Sequence, residues 1–275
     1  MGISAQMNVR PLQFFFTTLA FLLLSALDSL MAETIPVRHI EGTTLGFLEI
    51  HDESGTPIAY GDSQQVVKKA YVMDDLKFRF KDGSLYEEIT KFTQRGVFQL
   101  LSDQVVQRGP SFKEQLESLV DVRTGTVTVR SIKNGKEKKI TKHVEIPPDV
   151  ANGLLLIIAK NLDPSAPKTV VTMIAGSSGP QIVKVNYSPQ PEKIFYVGPL
   201  SYKAQEHLLK IEITGVKGKI APIAGKQPED IHLWLAKSES PTFLKFRGQM
   251  YHDGPIWEIE LSAPRERDSQ AGAGK

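Results

Sequence analysis

Six histidines are the side chains best suited to metal binding or proton transfer near neutral pH: His39, His51, His143, His207, His232 and His252. No two stand four residues apart, the spacing that would place two imidazoles on one helical face around zinc. His51-Asp52 and His252-Asp253 are adjacent pairs, and neighbours point to opposite faces of a strand, so they read as turn residues. The stretch Ala175-Gly176-Ser177-Ser178-Gly179-Pro180 looks like a nucleophile elbow. Pro180, however, occupies the place of the last glycine, and no helical pattern follows. Gly218-Lys219, Gly225-Lys226 and Gly274-Lys275 lack the upstream glycine and the following Ser or Thr of a phosphate loop. Carboxylates are scattered over presumed solvent faces and suggest no acid–base pair. The chain has no cysteine, which removes thiol nucleophiles, Cys-based zinc sites and disulfides. No catalytic residue, metal site or cofactor is therefore expected. A hydrolase site assembled from distant residues is the weakest of the functional readings.

Charge concentrates in one place. Lys133, Lys136, Lys138 and Lys139, with Arg130 and Lys142, flank Asn134-Gly135, the favoured pair of a type I′ hairpin turn. Two readings stand. The hairpin is a solvated edge whose lysines block edge-to-edge pairing, or it meets anionic headgroups or an acidic partner. The overall charge of +2 gives no general reason to expect nucleic-acid binding.

The elements that must position any site are strands. Leu45, Phe47, Leu48 and Ile50 form a first arm before the Asp52–Pro57 turn. Strand patterns follow over 65–73, 76–80, 85–92, 97–106, 112–122, 127–132 and 138–146. They resume over 169–174, 181–187, 193–197, 208–214, 231–236, 242–246 and 256–261. Period-2 alternation and short Gly, Pro or Asp turns predict an antiparallel meander. The expected architecture is a mainly β, strongly curved half-barrel sheet wrapped around one apolar helix. A two-sheet sandwich is the competitor. A transmembrane β-barrel is a weaker one, because no consistent aromatic girdles are visible.

The segment PPDVANGLLLIIAKNLDP, 147–164, supplies that helix. Pro147 and Pro148 suit a first helical turn, Asp149 a cap, Lys160 the C-terminal dipole, and Pro164 a stop. These signals predict a helix over about 148–162, with Leu154, Leu155, Ile158 and Leu162 on one face. The alternative is a hairpin turning at Asn152-Gly153, which the prolines disfavour. A helix so apolar is either a solid plug under the sheet or one wall of a cavity for an apolar ligand.

The N-terminus reads as an export signal. Arg10 precedes the apolar run Leu12–Leu27, and Ala32 offers a cleavage point before Glu33, although Leu30 stands where a small residue is preferred. Uncleaved, the segment would anchor the chain in the inner membrane. The expected organisation is a signal peptide or signal anchor over 1–32, a single β domain over 33–264, and a disordered polar tail over 265–275. The expected location is the periplasm or the exterior.

Three stretches carry a resemblance: PPDVANGLLLIIAKNL, IAPIAGKQPEDIHLWLAK (220–237) and SPTFLKFRGQMYHDGPIWEIELSAP (240–264). They resemble a group of exported bacterial proteins similar to the lipoprotein-carrier-like (LolA-like) half-barrel class. The resemblance implies a curved antiparallel sheet whose concave face holds a helix and, in better-known members, an acyl chain. On that basis a lipid or other apolar small molecule is the expected ligand. Its lining would come from Leu154, Leu155, Ile158 and Leu162 with Phe78, Phe98, Trp234, Phe243 and Trp257. The rival reading is a solid-cored interaction module that meets another envelope protein.

Overall fold

The computed structural model describes residues 33–176, 179–197, 199–213 and 228–262. The expected export segment and polar tail lie outside the described residues. So does the first part of IAPIAGKQPEDIHLWLAK, up to Gln227.

Among the described residues fifteen strands form one sheet. In chain order they are β1 (Thr44–His51), β2 (Pro57–Val67), β3 (Val72–Phe80), β4 (Leu85–Arg95), β5 (Val97–Arg108), β6 (Gln115–Asp121), β7 (Thr126–Lys133) and β8 (Lys136–His143). After the helix α1 (Leu155–Asn161) come β9 (Thr169–Ala175), β10 (Gln181–Pro189), β11 (Lys193–Val197), β12 (Leu200–Ile213), β13 (Ile231–Ala236), β14 (Thr242–Gln249) and β15 (Ile256–Leu261). Every strand pairing is antiparallel.

The spatial order begins at β8, descends to β1, passes to β15 and continues to β9, with β11 paired to β12. The chain therefore starts in the middle of the sheet, walks to one edge, crosses to the other and walks back. The crossover between the two edges is the segment holding α1. In a flat sheet the thirteen inter-strand gaps would set those edges roughly 60 Å apart. Here a Cβ placed on Gly179, beside β10, would lie 3.8 Å from Lys142 Nζ and 3.9 Å from Ile140 Cδ1 of β8. The sheet curls until its edges approach without pairing among the described residues, leaving an open half-barrel rather than a closed barrel.

Alternation sorts the side chains. Along β3, Val72, Phe78 and Phe80 are buried, while Lys77 and Arg79 face outward beside Glu87 and Asp62. One exception to strict spacing matters. A bulge at Trp234/Leu235 shifts the β13–β14 register. It turns both Phe243 and Phe246, three residues apart, to the concave side.

The helix is shorter than its sequence signals suggest. Pro147 and Asp149 do not start it, and its N-cap is Leu154, with no side-chain cap. Two features stop the helix from reaching back. Val150 bridges to Thr172 of β9, and Asn152 exchanges two hydrogen bonds with the Ile174 backbone, at 2.8 and 2.9 Å. Gly153 then takes a left-handed φ of 66° and lies against Thr90 and Asp103. The prolines and Asp149 instead form a turn, closed by Val150 N–H donating to Pro147 C=O at 3.1 Å, ahead of a lead that covers the β9 edge. Leu162 is the extended C-cap. The pattern over 65–73 also divides: β2 ends at Val67 and β3 begins at Val72, with Lys68 N–H donating to Tyr71 C=O between them.

A strap over residues 33–39 crosses the open side. Glu33 N–H donates to Val170, while Phe98 N–H donates to Ile35 and Val37 N–H to Gly96. The fully buried Asn161 accepts from the Arg38 and His39 amides at 2.8 and 2.7 Å and donates back to Ile157 C=O. Lys160 sits on the Glu41 carboxylate, 2.7 Å from each oxygen. The strap and α1 therefore hold each other in place. Among the described residues no helix is long and apolar enough to cross a membrane.

Candidate functional site

Between α1 and the concave face lies a cavity of about 850 Å³. Leu155 and Leu156 of α1 form one wall. The opposite wall includes Leu76 and Phe78 of β3, Val183 of β10, Ile211 of β12 and Phe246 of β14. Space of this size is no packing defect. Size and lining both fall in the range of small-molecule sites. Exposed Glu229 and His252 lie at the solvent side.

The end near β14 and β15 is closed by aromatic rings. Phe80, Phe112, Tyr251 and Trp257 stack edge-on or tilted at 5.1–6.1 Å between centroids. Tyr251 donates to Ser111 C=O at 2.9 Å, pinning the β14–β15 turn over the β5–β6 loop. Tyr187 of β10 reaches across the interior and donates to Leu155 C=O at 3.1 Å, fixing where α1 begins.

The residues expected to line a cleft divide into three groups. Leu155, Phe78 and Phe243 face the cavity. Leu154, Ile158 and Phe98 are buried in the solid core beneath the helix, with Leu162 packed against it. Trp257 belongs to the aromatic end cluster. Trp234 faces the other way, on the convex side, packed with Ala204, Ala236, Leu244 and Phe195. Its neighbours Leu233 and Leu235 point inward, and alternation leaves it no other choice.

Lys133, Lys136, Lys138 and Lys139 lie exposed on the β7–β8 edge hairpin, away from the cavity lining. Its turn has positive φ at both Asn134 (51°) and Gly135 (71°), as type I′ requires. Arg130 is held within the sheet's surface by Glu117 and Glu137.

Sequence reasoning missed the polar part of the cavity wall. Asp74 and Glu88 both line it, beside Ser63, Tyr86 and Thr90. Ser63 donates to Asp74 Oδ1 at 3.1 Å, and Tyr86 to Glu88 Oε2 at 3.0 Å. Behind them the buried Asp103 accepts from Thr90 at 3.0 Å. Burial pushes the Asp74 carboxyl up to about 6. It also raises Glu88 and Asp103 well above the usual carboxylate range, helped at Glu88 by the charge of Asp103 beside it. The signal was present in the spacing. Leu76, Phe78 and Phe80 mark the inner face of β3, and counting back by two reaches Asp74, not Asp75. On β4 the same count runs Phe92, Thr90, Glu88, Tyr86.

Among the described residues no three His, Asp or Glu side chains converge to hold a metal ion. His232 Nδ1 stands 2.7 Å from Glu206, whose other oxygen takes Lys193, but this triad lies on the convex side beside Trp234.

No protein-family model and no curated protein sequence matches the chain. Solved structures similar to the chain include the following two. One is a beta-barrel-like protein of domain of unknown function DUF1849 from Brucella abortus, 8% identical, with a TM-score of 0.43, covering 86% of this chain and 100% of that one. The other is the hypothetical lipoprotein YmcC from Escherichia coli (K12), 8% identical, with a TM-score of 0.36, covering 94% of this chain and 100% of that one. At these scores the fold description rests on the strand pairings of this chain itself.

Proposed function

We infer that this protein is a non-catalytic binding or carrier protein of the cell envelope that holds an apolar molecule between α1 and the concave face of its sheet. The observation that carries this reading is the 850 Å³ cavity with its mainly apolar wall. Transfer of hydrocarbon from water to such a wall is favourable by about 25 cal/mol per Å² buried. A solid-cored interaction module would have no use for that space. The apolar N-terminal run over 12–27 supports export. The description of YmcC as a lipoprotein adds no weight at its level of similarity.

The test uses N-phenyl-1-naphthylamine, a neutral apolar dye that fluoresces when sheltered from water. The protein over residues 33–275 is expected to bind it with a Kd in the micromolar range, and 1-decanol is expected to displace it. Leu156, 36% exposed on the cavity wall, tolerates enlargement without core strain. Leu156→Trp is expected to weaken dye binding about tenfold by occupying the space. Absence of saturable binding, or binding that Leu156→Trp leaves unchanged, rejects the reading. Native mass spectrometry of gently extracted protein then identifies the natural occupant.

A further inference from the structure

The cavity wall is uneven in charge, and the unevenness has one sign. Asp74, Glu88 and Glu229 line it, and no lysine or arginine does so among the described residues. Lys160, whose charge acts on Asp74, is held by both oxygens of Glu41 at 2.7 Å. Ser63 and Tyr86 each donate a single neutral hydrogen bond to one oxygen of Asp74 and Glu88 respectively. Neither carboxyl has an ion-pair partner among the described residues. They stand on adjacent strands, Asp74 opposite Thr90 and Glu88 opposite Leu76, so both lie on one patch of the inner face. Apolar side chains surround that patch, including Leu76, Phe78 and Leu155.

Two carboxyls at an apolar wall are a costly arrangement for a protein that holds a plain hydrocarbon chain. They are also badly suited to a fatty-acid carboxylate or a lipid phosphate, because like charges repel strongly where water is scarce. They suit a ligand that brings N–H donors and positive charge, for which carboxylate acceptors in a low-dielectric wall give short, charge-assisted hydrogen bonds. We propose that the cavity selects an amine-headed amphiphile, its alkyl or polyprenyl chain lying along α1 and its ammonium group between Asp74 and Glu88. This rests on the apolar-ligand reading and adds the chemistry of the head group. No covalent bond changes, and the Glu88 carboxyl, whose proton burial retains towards neutral pH, gives that proton to water as the ammonium group seats.

The experiment is a competition at pH 7.5 between N-phenyl-1-naphthylamine and three ten-carbon ligands below their micelle concentrations: decylamine, 1-decanol and decanoate. Decylamine is expected to bind about tenfold or more tighter than decanoate, with decanol between them. In the double variant Asp74→Asn/Glu88→Gln the amine's advantage over decanol is expected to vanish. That variant replaces two half-buried acids by neutral amides of the same size, so it should fold at least as well as the parent. Decanoate binding as tightly as decylamine overturns the proposal, as does an amine preference that survives the double substitution. If decanol binds without any head-group preference, only this inference falls. If none of the three displaces the dye, the apolar-ligand reading falls with it.

Discussion

Gly153→Ala is expected to cost the protein roughly 2–5 kcal/mol, whereas Gly135→Ala, at an equally left-handed glycine, is expected to cost about 1–2 kcal/mol. The two positions share the backbone component. Gly153 has φ 66° and Gly135 φ 71°, and an L-residue pays for either. They differ in surroundings. Around Gly135, at the tip of the β7–β8 hairpin, a new methyl group meets nothing within 4 Å. At Gly153 it would stand 1.9 Å from Thr90 Oγ1, 2.8 Å from Asp103 Oδ1 and 2.9 Å from Thr90 Cβ. Thr90 and Asp103 are each 2% exposed and hydrogen-bonded to one another. Neither can step aside without breaking that bond or moving β4 or β5. The alternative is for the lead into α1 to lift, which would loosen the Asn152 bonds to β9 and displace Leu155 and Leu156 from the cavity. Urea unfolding of both variants with matched m-values measures the difference. Equal costs would show that the close approach at Gly153 does not exist. Gly153→Ala is also expected to weaken dye binding, because its strain falls at the root of the helix wall.

The second large effect is on pH. The protein is expected to be more stable near pH 5.5 than at pH 8, and Asp74→Asn is expected to remove part of that slope. The folded Asp74 carboxyl sits at about 6, against an ordinary 3.8. The folded state therefore keeps its proton more tightly than the unfolded chain does. Stability falls as pH rises from about 4 through 6, and the full cost is present above that range. For Asp74 alone the cost is on the order of 2–3 kcal/mol at pH 8. Burial raises Glu88 and Asp103 in the same direction, so their contributions have the same sign. His207 works oppositely. Burial holds its imidazole down at about 4 from 6.5, so stability is lost as pH falls through that interval. Three carboxyls outweigh one imidazole above pH 6, and the imidazole contributes to the acid limit. Asp74→Asn should thus stabilise by roughly 2–3 kcal/mol at pH 8 and have almost no effect at pH 4, read from urea midpoints. A loss of stability at pH 8, or an effect independent of pH, would falsify the account.

Most strands were legible in the sequence, and the limits of β13 and β15 coincide with their apolar patterns, because half-buried strands repeat every two residues. What was illegible came from contacts between distant segments. The helix signals at Pro147 and Asp149 are sound locally, but Val150 and Asn152 find partners on β9 that no local rule contains. Phe246 stayed hidden because a bulge breaks the count from Phe243. Trp234 is expected in the cleft lining as a large aromatic, whereas parity along β13 sends it to a small buried cluster on the convex side. The acids were misplaced for a different reason. Asp74-Asp75 and Glu87-Glu88 are paired acids in which one member of each must face inward, and the expectation that carboxylates face water overrode the parity that identifies which.

The route of the chain through the sheet also sets a schedule. β1 pairs on one side with β2 at once, but its other neighbour is β15. More than two hundred residues separate their sequences. At about 5–20 residues per second, roughly ten to forty seconds of synthesis pass before that seam can close. During this interval β1 presents an unpaired edge carrying Leu48 and Ile50, and the strap over 33–39 waits for an asparagine some 120 residues downstream. Such long-range pairing is slow to form and prone to association while it waits. The seam at the middle of the sheet, not its rim, is where the nascent chain stays open longest.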